Sequence, residues 1–566
     1  MKGYKVILCL PFSLCSLVAS SDHVLAQPNL SPVDPSRIER EFKDVKPKLR
    51  PEPLPLPSPP KEIGEPQLNN LRFVLQGVNV RGNQVLGREI SELLEENISN
   101  LLGQEVSFEV IQNLADSIEE LYRKNDYVFV KVVIPPQDFS TGDIVLDIVE
   151  GFIESYEFIK ATPGQINRLK GYLENIIGKK PIKLSEIQRN LILMNELAGY
   201  QVRGNLRRGQ KRGGTILSVE VQQTPANGFI QVDNWASDSV GPGRLQAGVI
   251  LNSLGDQGER IFISGATALF DVEELQSLQL GFQIPINFSG LKLNSSAVYT
   301  KTQPGGLLKP FEIKGEAFRF SIGLSYPIIR SITTDLDARI DFNLTNSSSI
   351  FGVIDPPVFL YVDRIRALEL GLNFRKRHSF GSISGGIQFS QGLDILGARN
   401  KGTLRVPISN QFGKTDAFRV NFNLNQFWQL PSNFGLNISL ASQISNKPLV
   451  VSEQFSYGGS FIGSAYNPSQ IIGDNGFIVR GELLNNINQG RVIWQPYVFA
   501  DYGKVSLQKA STPELQTQEL ASAGLGLRLQ VGNKINFRLE AANPLKSIAE
   551  FTEGKPVFRF SVQSLL

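Results

Sequence analysis

Apolar and polar residues alternate one by one through the C-terminal part of the chain, from residue 223 to residue 566. Such alternation places the apolar side chains on one face of a β-strand and the polar ones on the other. The polar positions hold mainly Gly, Asn, Gln, Ser, Arg and Asp, and turn residues separate the segments. The clearest alternating segments are 278–284, 318–326, 336–344, 418–424, 525–531 and 535–541.

This pattern predicts a transmembrane antiparallel β-barrel over residues 223–566, with apolar side chains outside and polar side chains in the lumen. Dividing this length by the roughly 21 residues that one strand and its turn occupy gives about 16 strands. The alternative is a soluble all-β domain, whose polar face would meet bulk water. We interpret the inward charges of Arg339, Arg419 and Arg538 as groups that solvate the lumen.

In residues 71–222 the apolar period becomes helical in places, and one order of elements occurs twice. A strand, two helices and two strands are predicted first at 72–80, 90–102, 110–121, 127–134 and 142–149. The same order is predicted again at 152–159, 166–177, 184–197, 200–206 and 215–222. This repeat indicates two α+β domains, 71–150 and 151–222. The first has 6 basic and 14 acidic residues (net −8), and the second has 12 basic and 6 acidic residues (net +6).

The N-terminal residues read as an export signal followed by a linker. Lys2 and Lys5 precede an apolar stretch, and the small residues before Gln27 fit a cleavage site, so residues 1–26 are predicted to be a signal peptide. Residues 27–70 contain 11 prolines and are predicted to be an extended, semi-rigid segment. A short helix is expected at 36–44, behind Pro35.

Composition excludes most enzyme classes. The two cysteines, Cys9 and Cys15, lie in the predicted signal peptide, and His378 is the one histidine after residue 26. Disulfides, thiolate nucleophiles and Cys-based metal sites are therefore excluded from the mature chain, and His-based chemistry is disfavoured. With 57 basic and 54 acidic residues, the chain has no bulk attraction to nucleic acid. We expect no enzymatic activity, no metal and no cofactor.

Several segments, taken in order, resemble one known family. They are 180–200, with Gly209 and 215–221 after it, then Asp233 and Asn234, 252–258, Gly473, Asp474 and Gly476 with Glu482 and Leu483, and Phe499 to Gly503 around Asp501. Together they resemble the two-partner secretion transporters, the haemolysin secretion/activation family, within the superfamily of outer-membrane barrels that carry POTRA domains.

The resemblance implies a function and a location. The two α+β domains would be periplasmic POTRA domains that capture an unfolded, β-rich exported partner as an added strand, and the monomeric barrel, surrounded by outer-membrane lipid, would translocate it. The helix near 36–46 would occupy the lumen at rest. Two alternatives stay open, a barrel-assembly or insertase factor of the same superfamily and a passive porin-like channel.

One motif departs from the family. Its members carry a Val-Arg-Gly-Tyr/Phe tip on a loop that folds into the barrel, and that arginine pairs with the aspartate that matches Asp501 here. The loop in this chain is 456–466, and alignment on Gly463 puts Ile462 in the place of the arginine. We therefore expect Arg480, on the next strand, to pair with Asp501; the alternative is a simply hydrated Asp501. The tip would be held by apolar contacts, made by Phe461, Ile462 and Tyr466.

Overall fold

The computed structural model describes residues 31–41, 71–460, 462–546 and 555–566. The predicted signal peptide and most of the proline-rich segment lie outside these residues, and so does Phe461 of the predicted loop tip. The first described helix, α1, spans Pro35–Glu41. It begins at Pro35 because proline lacks the N–H that an N-terminal helix residue would leave unpaired, and its fixed φ suits the first turn.

The first α+β domain has the predicted strands and helices in the predicted order, with one short strand that was not predicted, Glu105–Ser107, between the two helices. The elements are β1 Arg72–Val74, β2 Gly77–Arg81, α2 Gly87–Ile98, β3 Glu105–Ser107, α3 Phe108–Lys124, β4 Val130–Val133 and β5 Asp143–Glu150. The sheet order is β2-β5-β4, with β2 parallel to β5. Tyr122 of α3 is buried against this sheet, 2.9 Å from the Glu150 carboxylate, and burial raises the pKa of Tyr122 well above its ordinary value.

The predicted strand 72–80 is wrong in one respect, because the structure divides it. β1 pairs with β3, whereas β2 pairs with β5. Between them the N–H groups of Gln76 and Gly77 both donate to the carbonyl oxygen of Gly142, where the chain crosses from one sheet to the other. Alternation along the sequence does not reveal such a change of partner. The predicted helix 90–102 likewise ends earlier, at Ile98.

The second α+β domain repeats the arrangement. Its elements are β6 Phe152–Ile159, α4 Pro163–Leu173, α5 Leu184–Asn195, β7 Tyr200–Arg208 and β8 Gly214–Gln223. The sheet order is β6-β8-β7, with β6 parallel to β8. α4 begins with a capping box in which Thr162 and Gln165 each accept from the other's backbone N–H. The inner faces of α4 and α5 pack on the sheet around Leu169, Tyr172 and Met194, which are fully buried.

The barrel follows. Its strands are β9 Ala226–Asp233, β10 Arg244–Asn252, β11 Arg260–Ala268, β12 Leu275–Pro285, β13 Lys292–Thr302, β14 Ile313–Arg330, β15 Thr334–Phe351, β16 Val358–His378, β17 Gly381–Gly392, β18 Phe418–Gln429 and β19 Phe434–Ser445. After β20 Phe455–Tyr457 and β21 Ile471–Gly473, which pair with each other in a loop, come β22 Asn475–Asn485, β23 Ile487–Gln489, β24 Val492–Ser506, β25 Thr517–Val531, β26 Ile535–Pro544 and β27 Val557–Leu565.

The barrel is closed and antiparallel. β22 and β23 both pair with β24 and form one strand interrupted at Asn486, so sixteen strands surround the lumen in the part of the chain that the structure describes. β27 closes the sheet by pairing with β9. The prediction of about 16 strands is therefore confirmed.

Side-chain exposure follows the predicted alternation. On β12, Leu278, Leu280 and Phe282 are exposed on the outside, whereas Gln279 and Gln283 point inward and are half-buried. This outer apolar surface matches lipid, and the inner polar surface matches a hydrated lumen.

Among residues 31–41, 71–460, 462–546 and 555–566, no helix combines the length and the apolar composition that crossing a membrane requires.

The second α+β domain rests on one end of the barrel, which we call the proximal end. The Arg168 guanidinium lies 5.1 Å from the Phe288 ring centre, and Tyr172 packs edge-on against the same ring at 5.2 Å. Arg189 Nη2 donates to the carbonyl oxygen of Pro327 at 2.9 Å.

A buried ion pair strengthens this contact. The Glu196 carboxylate lies 3.0 Å from Lys292 Nζ and 2.7 Å from Arg330 Nε, and all three side chains are largely buried. The domain is therefore docked on the barrel rather than merely tethered to it.

The lumen is filled unevenly along its axis. On β15 the inward residues Asn343 to Phe351, toward the distal end, are buried, whereas Asp337, Arg339 and Asp341 nearer the proximal end are only half-buried. The distal half of the lumen is thus occupied by other parts of the chain, and the proximal half is open.

We predict that the purified chain migrates faster in SDS gels when it is not heated, because a closed barrel keeps its hydrogen bonds in detergent until it is boiled. The control is the isolated fragment 71–222, whose migration should not depend on heating. Identical migration of heated and unheated full-length chain would contradict a closed barrel.

Candidate functional site

The N-terminal helix α1 lies inside the distal half of the barrel. Tyr361 on the inward face of β16 donates to Asp34 Oδ2 at 2.8 Å. From the next turn, Arg37 donates to Ser469 Oγ at 3.1 Å and to the carbonyl oxygen of Gln454 at 3.2 Å. These contacts bind α1 both to the wall and to the loop 446–474, which we call the inward loop.

The opposite side of α1 touches β13 and β14. Thr302 Oγ1 lies 3.5 Å from the carbonyl oxygen of Val33. A Cβ added at Gly315 would come within 3.0 Å of the Pro35 ring, so the absence of a side chain there makes room for the helix. The helix therefore lies between the wall strands β13 to β16 and the inward loop, where the predicted plug would lie.

The inward loop folds back against the wall because several positions carry no side chain. Gly463, at the predicted tip, has φ +85°, a left-handed conformation that favours glycine. The ring of Tyr457 lies on β24 at Gly503, where an added Cβ would come within 2.2 Å of the ring. Gly503, the last residue of the predicted 499–503 motif, therefore leaves the space in which the inward loop packs directly on β24.

The loop tip is held by polar contacts as well as apolar ones. Ile462 is half-buried and packs on the aromatic cluster that includes Tyr466. The Tyr466 hydroxyl, however, lies 2.6 Å from the carbonyl oxygen of Ala521, to which it can donate its hydrogen. Arg559 Nε donates to the carbonyl oxygen of Ser464 at 3.3 Å. Tyr466 is therefore held by a hydrogen bond as well as by the apolar contacts that the sequence predicts.

Arg480 and Asp501 face each other directly across β22 and β24. Arg480 Nη1 lies 3.2 Å from Asp501 Oδ2. The Tyr457 hydroxyl at 2.5 Å and the Ser522 hydroxyl at 2.6 Å both donate to Asp501 Oδ1. The structure thus places a cation and two hydroxyls around this buried carboxylate.

Arg480 also contacts two further carboxylates. Its Nε lies 2.8 Å from Glu482 and its Nη2 lies 2.9 Å from Glu540, on β26. Its Nη1 donates to Ser464 Oγ of the inward loop at 3.0 Å, and its guanidinium lies 3.8 Å from the ring centre of Phe499. One arginine therefore ties the loop to three wall strands.

Two more arginines balance the charge. Arg528 lies 2.8 Å from Glu482, and Arg538 lies 2.5 Å from Glu540. We call the whole group the charge cluster, which consists of Arg480, Arg528, Arg538, Glu482, Asp501 and Glu540. With three charges of each sign, the cluster has no formal net charge, which limits the cost of burying it.

The other predicted motif residues lie at the base of the inward loop. The Asp474 carboxylate accepts from the N–H of Leu449 at 2.7 Å and from the N–H of Gln508 at 2.8 Å, so it joins this loop to the next one. Gly473 and Gly476 are close-packed, since an added Cβ would come within 2.7 Å of Ser506 and 2.6 Å of Phe455, respectively.

Sequence reasoning missed Glu540 and Tyr457 as members of this site. The alternation of 535–541 puts Glu540 on the inward face, but β26 is two strands removed from β24, and only barrel curvature brings it to Arg480. Tyr457 lies in a loop without a periodic pattern. In the part of the chain that the structure describes, no group of three or more His, Cys, Asp or Glu side chains could hold a metal ion.

Comparison with protein families gives two matches. Residues 213–529 match the family described as haemolysin secretion/activation protein ShlB/FhaC/HecB. Residues 73–151 match the ShlB-type POTRA domain.

Individual relatives are more distant. The heme/hemopexin transporter protein HuxB of Haemophilus influenzae is 23% identical over 491 residues, which is 84% of each chain. The hemolysin transporter protein ShlB of Serratia marcescens is 24% identical over 446 residues, 76% of each chain.

Two solved structures have the same fold. CdiB from Escherichia coli has a TM-score of 0.73 at 16% identity, covering 90% of this chain and 92% of its own. CdiB from Acinetobacter baumannii has a TM-score of 0.63 at 17% identity, covering 88% and 90%.

We predict that Arg480→Ala lowers the temperature at which the barrel loses its folded gel migration. The substitution leaves the buried carboxylate of Asp501 without a counter-charge, because Glu482 keeps Arg528 and Glu540 keeps Arg538, and an uncompensated buried charge costs about 3–5 kcal/mol. Arg480→Lys should recover only part of this, because lysine cannot reach three acceptors at once. Arg528→Ala is the matched control with a smaller effect, since Glu482 keeps Arg480. The pairing also predicts that Arg480→Ala/Asp501→Asn is less destabilised than the sum of its single variants; additive losses would contradict it.

We predict that deleting residues 27–46 raises the resting conductance of the barrel in planar bilayers, because α1 occupies the distal lumen. Arg37→Ala should give an intermediate increase, since it breaks contacts to the inward loop without shortening the chain. Arg364→Ala, on the outward face of β16, removes an arginine outside the lumen and should leave conductance unchanged. Equal conductance of the deletion and the unaltered chain would reject the plug.

Proposed function

Because the chain belongs to the haemolysin secretion/activation family ShlB/FhaC/HecB, we propose that its two POTRA domains capture an unfolded, β-rich partner protein and hand it to the barrel lumen. The chain is an outer-membrane transporter of a partner protein, with the barrel in the outer membrane and the POTRA domains in the periplasm. The proximal end of the barrel is therefore the periplasmic end.

The observation that carries the proposal is the docking of the second POTRA domain at the open end of a polar lumen. The ion pair of Glu196 with Lys292 and Arg330 fixes this domain beside the periplasmic mouth. A segment bound to the domain is thus held near the entrance, which raises its local concentration there.

Strand addition is the capture mode that the domains favour. Among the described residues, each three-stranded sheet has two edge strands that pair on one side only, β2 and β4 in the first domain and β6 and β7 in the second. An unpaired edge offers backbone N–H and C=O groups to any extended segment. Backbone pairing needs no particular cargo sequence, which suits an unfolded partner.

The oligomeric state and the absence of catalysis are proposed from the closed barrel and from the composition of the chain. One chain closes the whole barrel, which supports a monomer. We propose that transport involves no catalysis and no nucleic acid, given the residue counts and the balanced charge. The boundaries 26, 70, 150 and 222 remain predictions. Family membership favours partner transport over barrel assembly and over passive diffusion.

We predict that deleting residues 71–150 abolishes export of the partner, because it removes one of the two capture sheets, while the barrel still folds and conducts ions. Export is measured as partner protein in the medium, and folding as heat-dependent gel migration. Export that survives the deletion would reject the capture role.

Deleting residues 71–150 also removes a contact to the second domain, and this effect needs its own control. Asp126, in the deleted part, accepts from the N–H of Ser185 at 3.0 Å, at the start of α5. Asp126→Ala removes this contact and keeps the first domain. If Asp126→Ala alone abolished export, damage to the second domain would explain the deletion.

A further inference from the structure

Charge is distributed unevenly around the lumen wall. Inward charges crowd β14 to β16, with Arg319, Arg339, Asp341 and Glu369, and they crowd β22 to β26, where the charge cluster lies. Between these sectors, the inward residues of β17, β19 and the proximal part of β18 are uncharged. Amides dominate this sector and continue onto the adjoining edge of β16, where Asn373 lies, and Gln388 accepts from Arg339 Nη2 at 3.2 Å at the border of the charged sector. We call the following set the amide strip: Asn373, Gln388, Asn421, Asn423, Asn425 and Asn437.

The strip is continuous across strands. Asn425 Nδ2 donates to Asn437 Oδ1 at 3.1 Å, and Asn421 Nδ2 donates to Gln443 Oε1 at 2.7 Å. Gly386 lies between Asn373 and Asn423, and an added Cβ there would come within 2.5 Å of Asn373 Oδ1 and 3.4 Å of Asn423 Nδ2. The missing side chain leaves both amides accessible from the lumen, and both residues are exposed.

The strip leads from the periplasmic mouth toward the inward loop. Its strands end proximally at the turns 379–380 and 430–433, whereas the second POTRA domain contacts the turns beneath β10 to β15. At its distal side, Gln443 Nε2 donates to the carbonyl oxygen of Glu453 in the inward loop at 3.0 Å. A chain that follows the strip therefore enters beside the docked domain and arrives at the loop.

Amide side chains match the groups of an extended backbone. Each carries a donor and an acceptor, as a peptide group does. A polypeptide that enters the lumen exchanges water for wall contacts, and its peptide groups need partners there. Neutral amides supply them whatever side chains the cargo carries, and they do not trap charged cargo residues as a charged wall would.

We propose that the amide strip is the surface on which the extended backbone of the partner protein lies as it enters the barrel. This inference rests on the proposed transport function and specifies the path within it. The wall around Ser296 on β13 also carries inward amides, Gln283 and Asn294, but its proximal end at Lys292 is covered by the docked POTRA domain, so we do not assign the path to it.

The mature chain suits a cysteine cross-linking test, because Cys9 and Cys15 lie in the predicted signal peptide. The probe is an unfolded peptide of about 20 Gly, Ser, Thr and Asn residues with one central cysteine, long enough to span the lumen when extended. It is added under oxidising conditions to the detergent-solubilised chain that carries Asn423→Cys, with Ser296→Cys as the matched control. Ser439→Cys, on β19 beside the amide strip, is a second test position in case Asn423→Cys does not fold.

We expect the disulfide yield at Asn423→Cys and Ser439→Cys to exceed that at Ser296→Cys about two- to tenfold, the effect of one or two net hydrogen bonds. Equal or reversed yields would reject the amide strip as the path of the cargo backbone, while the lumen would remain its route. Absence of cross-links at all three positions would show that the peptide does not enter, and would count against the proposed function as well.

A second measurement uses the lifetime of current blocks by the same peptide in planar bilayers. Asn423→Ala/Asn425→Ala should shorten the blocks about two- to tenfold, whereas Ser296→Ala should not. Asn423→Gln keeps an amide and should largely preserve the lifetime. An unchanged lifetime in the double variant would overturn the proposal.

Discussion

Closure of the sheet between β27 and β9 is the constraint on which the rest of the structure depends. Lipid offers no partner to a backbone N–H or C=O, so a membrane-spanning sheet cannot keep free edges. The first and last strands of the barrel must therefore meet, although more than half of the chain separates them. Once they do, alternation decides everything else about the wall: every second residue faces lipid and every other one faces the lumen.

The lumen side of this wall carries many charged and polar groups, and the chain satisfies them in three ways. Near the inward loop, charges are collected into a neutral cluster around Arg480. On β18 and β19, amides bond to one another. In the distal half, α1 and the inward loop supply hydrogen-bonding groups themselves. The same residues that fill the distal lumen are thus those that supply partners to its polar lining.

The barrel, the repeated α+β order and the inward faces could be read from the sequence because each depends on local periodicity. What periodicity lacks is information on contacts between elements that are distant along the chain. Arg480 and Asp501 share one hairpin and could be placed together, whereas Glu540 reaches the same arginine only through curvature of the wall. Alternation predicts that Arg419 solvates the lumen, yet its side chain is buried 3.2 Å from Glu369, because the inward loop covers both.

β13 and β14 contact a different part of the chain at each of their two ends. At the periplasmic end, Lys292 and Arg330 hold the POTRA domain through Glu196; at the other end, Thr302 and Gly315 contact the plug segment. A hydrogen-bonded hairpin is stiff along its strands, and β13 spans about 35 Å. A displacement of the domain that moves these two strands would therefore also move the residues that contact α1.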